Sequence, residues 1–294
     1  MSVSPDEQPS APTADPSARR PYVTHARPLA FAHRGGSGLA PENTLVAYEN
    51  GLALGADALE LDIHFTRDDQ IVVIHDDTID RTTDGVGPVA SYTLDELRRF
   101  DAGYRFSPDG GQTYPSRGQG VTIPTLREVF TRFPDVRVNI DLKQDTPNSA
   151  ALFWELLQAM DAVDRVLVGA FEPATLTTFR RLTGGRVATA ASPREVRNFL
   201  LFGVLLRAPN WLRPAYDALQ VPEVYRGIRV VSPGSIAAAH SLGLDLHVWT
   251  VDDRPTMDRL LDWGVDGLMS DRPDILTDAM AAYAAHIAQT TQGG

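Results

Sequence analysis

The chain reads as an α/β protein, a (β/α)8 (TIM) barrel with a small insertion after its second barrel strand. Two observations predict this. Eight short β-rich runs alternate with helical patterns over roughly 250 residues, the rhythm of such a barrel, whereas a doubly wound sheet usually needs fewer strands. One long excursion interrupts the rhythm, and it follows a strand, the side on which a barrel carries its working loops.

Taken in order, residues 1–27 are rich in Pro, Ser, Ala and Asp and have almost nothing to bury. Such a stretch cannot offset its ordering entropy, so a disordered tail is expected. The first strand is LAFAH (29–33), followed by the helical segment ENTLVAYENGLALG and the second strand ALELDIHF (58–65). About fifty residues then separate this strand from the helix near Leu126, too many for a plain loop in a compact domain. They read as an inserted hairpin plus the short helix TLDELRRF, with Thr93 and Glu96 spaced as a capping box. The insertion is expected over about 76–123.

The remaining strands are RVNIDLK (137–143), RVLVGAF (165–171), RVATAA (186–191), DALQV (217–221), DLHVWTV (245–251) and DGLMS (266–270). Helical patterns such as EPATLTTFRRLT, SIAAAHSLG and RPTMDRLLDWG lie between them. Acidic or Ser starts and glycine ends punctuate these helices, as capping favours. The barrel is expected over 28–285, with residues 286–294 frayed.

Composition narrows the function. Of 294 residues, 43% are hydrophobic and 22% charged, and 27 Lys+Arg against 38 Asp+Glu leave a net charge of −11. That balance disfavours nucleic acid and anionic membranes as primary partners while permitting a local cationic pocket for a phosphate. The absence of cysteine excludes disulfides, thiolate nucleophiles and Cys-ligated metals. No run reaches the roughly 18 apolar residues of a membrane span, and the start has no apolar signal core, so a cytoplasmic protein is expected. Oligomeric state has no signature.

The second strand carries the densest chemistry. Alternation puts Glu60, Asp62 and His64 on one face and Leu59, Leu61 and Ile63 on the other. The two acids stand ~7 Å apart at their backbones, close enough to share a cation. In an antiparallel sheet this would be an ordinary solvated face. In a parallel barrel, where both faces are covered, two buried acids need a partner.

A second strand repeats the pattern with Asn139, Asp141 and Lys143; taken alone, Asp141 and Lys143 read as a structural ion pair sooner than as a site. An all-oxygen set favours Mg²⁺ or Ca²⁺ over zinc. His33 and His75 each end a strand-like run, as structural histidines or as an acid–base pair. Arg34, with glycines beside it, suits an anion. No Walker loop and no G-x-S-x-G serine motif is present. His25, His64, His240 and Trp263 acquire no role.

These residues together resemble the glycerophosphodiester phosphodiesterase family. The matching pieces are His33-Arg34-Gly35, Ala40-Pro41-Glu42-Asn43-Thr44, Glu60-Leu61-Asp62 and Val73-Ile74-His75-Asp76. They continue through Arg81-Thr82-Thr83-Asp84-Gly85, Asn139-Ile140-Asp141-Leu142-Lys143 and His247-Val248-Trp249-Thr250-Val251. Gly264-Val265-Asp266-Gly267 and Ser270-Asp271-Arg272-Pro273 close the set, which runs in order from about 29 to 276.

The resemblance implies a (β/α)8 barrel with an insertion, one divalent cation and two catalytic histidines. By position, Glu60, Asp62 and Asp141 would be metal ligands and His33 and His75 the acid–base pair. Arg34 and Lys143 would neutralise the phosphodiester, and Trp249 would line the pocket for the glycerol or leaving group. The family commonly has Glu where this chain has Asp141, one methylene shorter, so that contact would need a closer cation or a bridging water.

The implied reaction cleaves a glycerophosphodiester, such as glycerophosphocholine or glycerophosphoethanolamine, to glycerol 3-phosphate and an alcohol. The attacking oxygen belongs either to water or to the neighbouring glycerol hydroxyl, by way of a cyclic phosphate. The apolar run Phe199-Leu200-Leu201-Phe202-Gly203-Val204-Leu205-Leu206 leaves a second substrate class open. It reads either as a buried barrel helix or as a lip that accepts the acyl chain of a lysophospholipid. A phosphatidylinositol-type phospholipase C fits the linked motifs less well, and a non-catalytic phosphodiester-binding barrel would be expected to have lost a histidine or an acid.

Overall fold

A computed structural model describes residues 19–26, 28–144 and 148–292 of the chain. Its strands, in chain order, are β1 (Leu29–Ala32), β2 (Ala58–Phe65), β3 (Ile71–Val73), β4 (Arg137–Leu142), β5 (Val166–Gly169), β6 (Ala188–Thr189), β7 (Ala218–Val221), β8 (Val224–Tyr225), β9 (Ile228–Arg229), β10 (Asp245–Val248) and β11 (Gly267–Ser270). The helices are α1 (Leu45–Ala53), α2 (Leu94–Leu97), α3 (Leu126–Arg132), α4 (Ser149–Ala159), α5 (Pro173–Thr183), α6 (Pro193–Asn198), α7 (Pro233–Ser241), α8 (Arg254–Trp263) and α9 (Pro273–Gln292).

Eight parallel strands run side by side in the order β6-β5-β4-β2-β1-β11-β10-β7. The ring closes between its two end strands. Ala190 bridges Ala218 in parallel, and the Asp217 and Ala191 amides donate to the Thr189 and Ala218 carbonyls at 2.8 Å each. The expected (β/α)8 barrel is therefore the observed architecture, with each of the eight expected runs supplying one barrel strand.

The alternation along β2 shows how sequence becomes layers. All eight residues are buried, as they must be when helices cover one side and the barrel interior the other. Leu59, Leu61, Ile63 and Phe65 join a core with Val129 and Phe130 of α3 and Phe153 and Leu157 of α4. Each such side chain contributes ~1.5–3 kcal/mol of burial. The other face supplies Ala58 to the interior cluster with Phe31, Leu167, Ala188, Ala218 and Met269, and above it the acids of the site.

The expected excursion is present. Strand β3 folds back antiparallel on β2, with Ile63 opposite Val73, and the chain then wanders until α3. This insertion holds together around its own small cluster, which includes Ile74, Ile79, Val89, Leu97, Val121 and Ile123. Helix α2 starts on the expected capping box, with Thr93 and Glu96 each bonding the other's backbone.

Both chain ends differ from expectation. Most of the expected N-terminal tail, residues 1–18 and 27, lies outside the described residues, but residues 19–26 are folded onto the barrel floor. Tyr22 and Val23 are buried in the interior cluster, and Arg20 pairs with Asp217 at 2.6 Å. Two apolar residues are too few to give a periodic signal, yet they suffice to fill the open end of a barrel. At the other end, α9 continues as helix to Gln292 rather than fraying from residue 286, while residues 293–294 lie outside the described residues.

Candidate active site

The barrel register gathers the candidate residues. Parallel pairing sets Glu60 beside Asn139 and Asp62 beside Asp141, so the inward faces of β2 and β4 carry acids at neighbouring positions. At the end of β1 the chain turns sharply through His33, Arg34 and Gly35, with φ of 50° at Arg34 and 87° at Gly35. Only glycine fits there, because a Cβ on Gly35 would stand 2.6 Å from that of Ala47. The turn aims the Arg34 amide at Glu60, donating to Oε2 at 2.9 Å. His75 follows β3, and the preceding Ile74 amide is tied to the Asp62 carbonyl at 3.0 Å.

Each strand-end histidine has its own carboxylate. His33 Nδ1 bonds Asp271 Oδ1 at 2.6 Å, and His75 Nδ1 bonds Asp76 Oδ1 at 2.6 Å. These bonds orient the rings and leave Nε2 of each as the nitrogen for other work. Burial works against charge on His33, but Glu60 and Asp271 outweigh it and raise its pKa above the usual imidazole value.

The charges between them are interlocked. Lys143 Nζ reaches Asp62 at 2.9 Å and Asp141 at 2.6 Å. Asn43 Nδ2 donates to Asp62 Oδ2 at 3.0 Å while Tyr48 holds Asn43 Oδ1 at 2.9 Å. Arg34 Nη1 donates to Glu42 at 3.1 Å, and Arg81 bonds Glu42 at 2.6 and 2.7 Å and Asp76 at 2.6 Å. Arg34 Nε is buried without a hydrogen-bond acceptor, 3.5 Å from Asp62 Oδ2. His64, buried on the same face, donates from Nε2 to the His75 carbonyl at 3.2 Å, and burial lowers its pKa.

The balance of this network is negative. Glu42, Glu60, Asp62, Asp76, Asp141 and Asp271 face three permanent cations, Arg34, Arg81 and Lys143, plus two imidazoles. The excess shows at Glu60. Burial, with the Asp62 charge beside it, pushes its carboxyl up to about 7. Burial also acts on Asp62, but Lys143 first, then Arg34 and His75, hold that carboxyl below its usual range. Asp141 is raised by burial. Hard oxygen donors with unneutralised charge fit a divalent cation, which would take the place of the proton on Glu60.

The candidates are not all equally close. Lys143 draws Asp141 and Asp62 to itself. Among the described residues, the one group of three or more histidine and acid side chains with ligand atoms within 4.8 Å of one another is His25, Asp245 and His247, not Glu60, Asp62 and Asp141. Trp249 packs at the edge of the interior cluster. The apolar run forms a π-helical turn (Phe199–Leu205) that extends α6. With Trp211, Leu212 and Tyr216 it borders a cavity of about 350 Å³ that no candidate site residue lines.

Sequence reasoning quoted Glu42, Asn43, Asp76, Arg81 and Asp271 within motifs without giving them work; all five prove to be partners of site residues. Phe171, 63% exposed with Lys143 Nζ 5.4 Å from its ring centre, was not singled out at all. Its signal was an aromatic residue just past a barrel strand. Among the described residues no helix is long and apolar enough to cross a membrane.

Comparison with known proteins points to one family. The model of the glycerophosphoryl diester phosphodiesterase family matches residues 33–275. A glycerophosphodiester phosphodiesterase of Caldanaerobacter subterraneus subsp. tengcongensis is 33% identical over 253 residues, 84% of this chain and 96% of the relative. The glycerophosphoryl diester phosphodiesterase domain of an uncharacterized protein from Mycobacterium tuberculosis superposes with a TM-score of 0.74 at 24% identity, over 86% of this chain and 98% of that one. An Oleispira antarctica phosphodiesterase, solved with the product sn-glycerol-3-phosphate, gives a TM-score of 0.69 at 26% identity over 87% and 97%. With barrel, strand-end motifs and relatives in agreement, this chain belongs to the glycerophosphoryl diester phosphodiesterase family of enzymes.

Proposed function

We propose that the chain is a metal-dependent hydrolase of glycerophosphodiesters such as glycerophosphocholine or glycerophosphoethanolamine, releasing glycerol 3-phosphate and an alcohol. One observation carries the reading: two strand-end imidazoles, each fastened to its own aspartate at 2.6 Å, border a buried excess of carboxylate. Glu60, Asp62 and Asp141 would hold one divalent cation, Mg²⁺ or Ca²⁺. Such an ion supplies stabilisation of charge on the phosphate oxygens and acidifies a hydroxyl or water.

The chain's own groups do the rest. The Arg34 guanidinium, whose Nε has no hydrogen-bond acceptor, and the Lys143 ammonium bind the phosphodiester oxygens. Of His33 and His75, one removes the proton from the attacking hydroxyl and the other protonates the departing alkoxide, which lets both oxygens change partner near neutral pH. Asp271 and Asp76 hold the two rings. Trp249 lines the pocket for glycerol or the leaving group.

The test is release of glycerol 3-phosphate from glycerophosphocholine and glycerophosphoethanolamine. It is run with EDTA, then with Mg²⁺ or Ca²⁺ restored, and with a lysophospholipid in parallel. Cation-dependent release from the small substrates supports the reading, and a cyclic phosphate caught early would identify the glycerol hydroxyl as attacker. Turnover of lysophospholipid alone would move the substrate to lipids. Silence on all three by folded, cation-loaded protein would overturn hydrolysis of these esters.

A further inference from the structure

At the opposite end of the barrel from the catalytic candidates, a second polar cluster has no part in the mechanism. Asp245 opens β10, and His247 lies two residues on, so both side chains point into the barrel. His25 reaches them from the N-terminal segment that covers the floor. His25 Nε2 lies 2.9 Å and His247 Nε2 3.7 Å from the same oxygen, Asp245 Oδ2. Arg19 bonds the other oxygen, Oδ1, leaving Oδ2 to the two imidazoles.

The second observation is an orphan. His247 is completely buried, and its Nε2 has no hydrogen-bond partner. A buried ring nitrogen left unpaired beside a carboxylate and a second imidazole is a position for a ligand. His247 Nδ1 lies 3.2 Å from the Gln220 amide, which also bonds Asn139 at 2.8 Å. If a cation takes the Nε2 lone pair, the ring proton moves to Nδ1. Turning the Gln220 and Asn139 amides over then keeps both hydrogen bonds with reversed polarity, since nitrogen and oxygen are interchangeable there.

We propose that His25, Asp245 and His247 form a transition-metal site on the barrel floor, suited to Zn²⁺, that clasps the N-terminal segment to β10. Two imidazole nitrogens and one carboxylate oxygen are the donors of zinc and its neighbours. Mg²⁺ and Ca²⁺ prefer all-oxygen sets, so the site is chemically separate from the acids at the other end. Strand starts are the face of a barrel where side chains serve stability. The ion would join a segment that Tyr22 and Val23 already hold by burial.

The experiment is titration of chelator-stripped, full-length protein with ZnCl₂ in excess Mg²⁺, with heat of binding and Tm both recorded. About one equivalent of Zn²⁺ is expected to bind and raise Tm. His25→Ala should abolish both effects, and Asp62→Asn should leave them intact. His25 lies at the edge of the floor, so its variant should fold, as circular dichroism would show. His247→Gln is the second variant, expected to behave like His25→Ala. Absence of binding under Mg²⁺ would overturn the site, and so would Zn²⁺ binding that survives His25→Ala but is lost in Asp62→Asn.

Discussion

Glu60 offers a quantitative test of the charge balance, because its carboxyl is pushed up to about 7 by burial and by Asp62 when no cation is present. In the unfolded chain the same group titrates near 4.5. The folded protein therefore holds a proton that the unfolded chain releases. The associated stability is fully present below about 4.5 and is lost as pH rises through about 7. The interval from 4.5 to about 7, at ~1.36 kcal/mol per decade, corresponds to ~3 kcal/mol, a sizeable part of the ~5–15 kcal/mol that holds a typical domain together.

Glu60→Gln removes the titration yet keeps an oxygen to accept the Arg34 amide, which now bonds Oε2 at 2.9 Å. His33, raised chiefly by Glu60, titrates in the same sense. Its contribution is present below the usual imidazole value and lost as pH rises through the higher folded one, so the comparison is best made in a His33→Ala background. The assay is urea unfolding of chelator-treated protein at pH 5 and pH 8. The protein carrying Glu60 should lose ~2.5 kcal/mol more across that span than the Gln variant, because at pH 5 the unfolded group is already largely ionised, and Mg²⁺ should recover most of the loss at pH 8 by binding the ionised form. Parallel pH dependence of the two proteins would refute the claim that Glu60 carries unneutralised buried charge.

His33→Ala and His75→Ala should each lower kcat by ~10²–10⁴-fold with folding intact by circular dichroism, and near-normal turnover in either would remove it from the acid–base pair. Asp271→Asn weakens a charge-assisted bond worth ~1.5–3 kcal/mol, so kcat/KM should fall ~10–150-fold. The pH limb belonging to His33 should also move to lower pH, since Asp271 helps raise that pKa; an unmoved profile would make Asp271 merely structural. Gly35→Ala forces a Cβ to within 2.6 Å of Ala47 at a φ of 87°, and should cost about 2–5 kcal/mol in denaturant unfolding. Trp211→Ala, at a residue 75% exposed beside the apolar cavity, should change turnover of glycerophosphocholine and of a lysophospholipid equally and by less than about twofold. A loss confined to the lysophospholipid would favour the acyl-chain lip.

The barrel was legible because its signals are local and repeated. The run 59–65 alternates apolar and polar residues, and in a closed parallel sheet that alternation sorts side chains between core and interior with no other information. The same logic put Glu60, Asp62 and Asp141 on inward faces, since register is fixed once both faces are buried. Partnerships that cross the fold were not legible. Asp271 meets His33 across 238 positions, and no pattern in either segment shows which residue of Ser270-Asp271-Arg272-Pro273 turns inward. The floor was hidden for a related reason. Arg19, Arg20, Tyr22 and His25 look like the end of a polar tail, and acquire meaning only when Asp217 and Asp245, both at strand starts, stand opposite them.

The two ends of the barrel thus divide the polar residues by chemistry, not by number. At the strand ends, carboxylates outnumber permanent cations, the surplus is buried, and a guanidinium nitrogen without a hydrogen-bond acceptor stands beside it. At the strand starts, each of the two aspartates on β7 and β10 or just before them is met by an arginine from residues 19–20, so those two charges are balanced by the chain itself. Only a site that is left uncompensated can gain from taking up a cation and an anionic ester together. That asymmetry favours the strand ends for the proposed phosphodiester chemistry independently of any motif, whereas a floor cation would rely on imidazole donors, among them His247 Nε2, which has no hydrogen-bond partner.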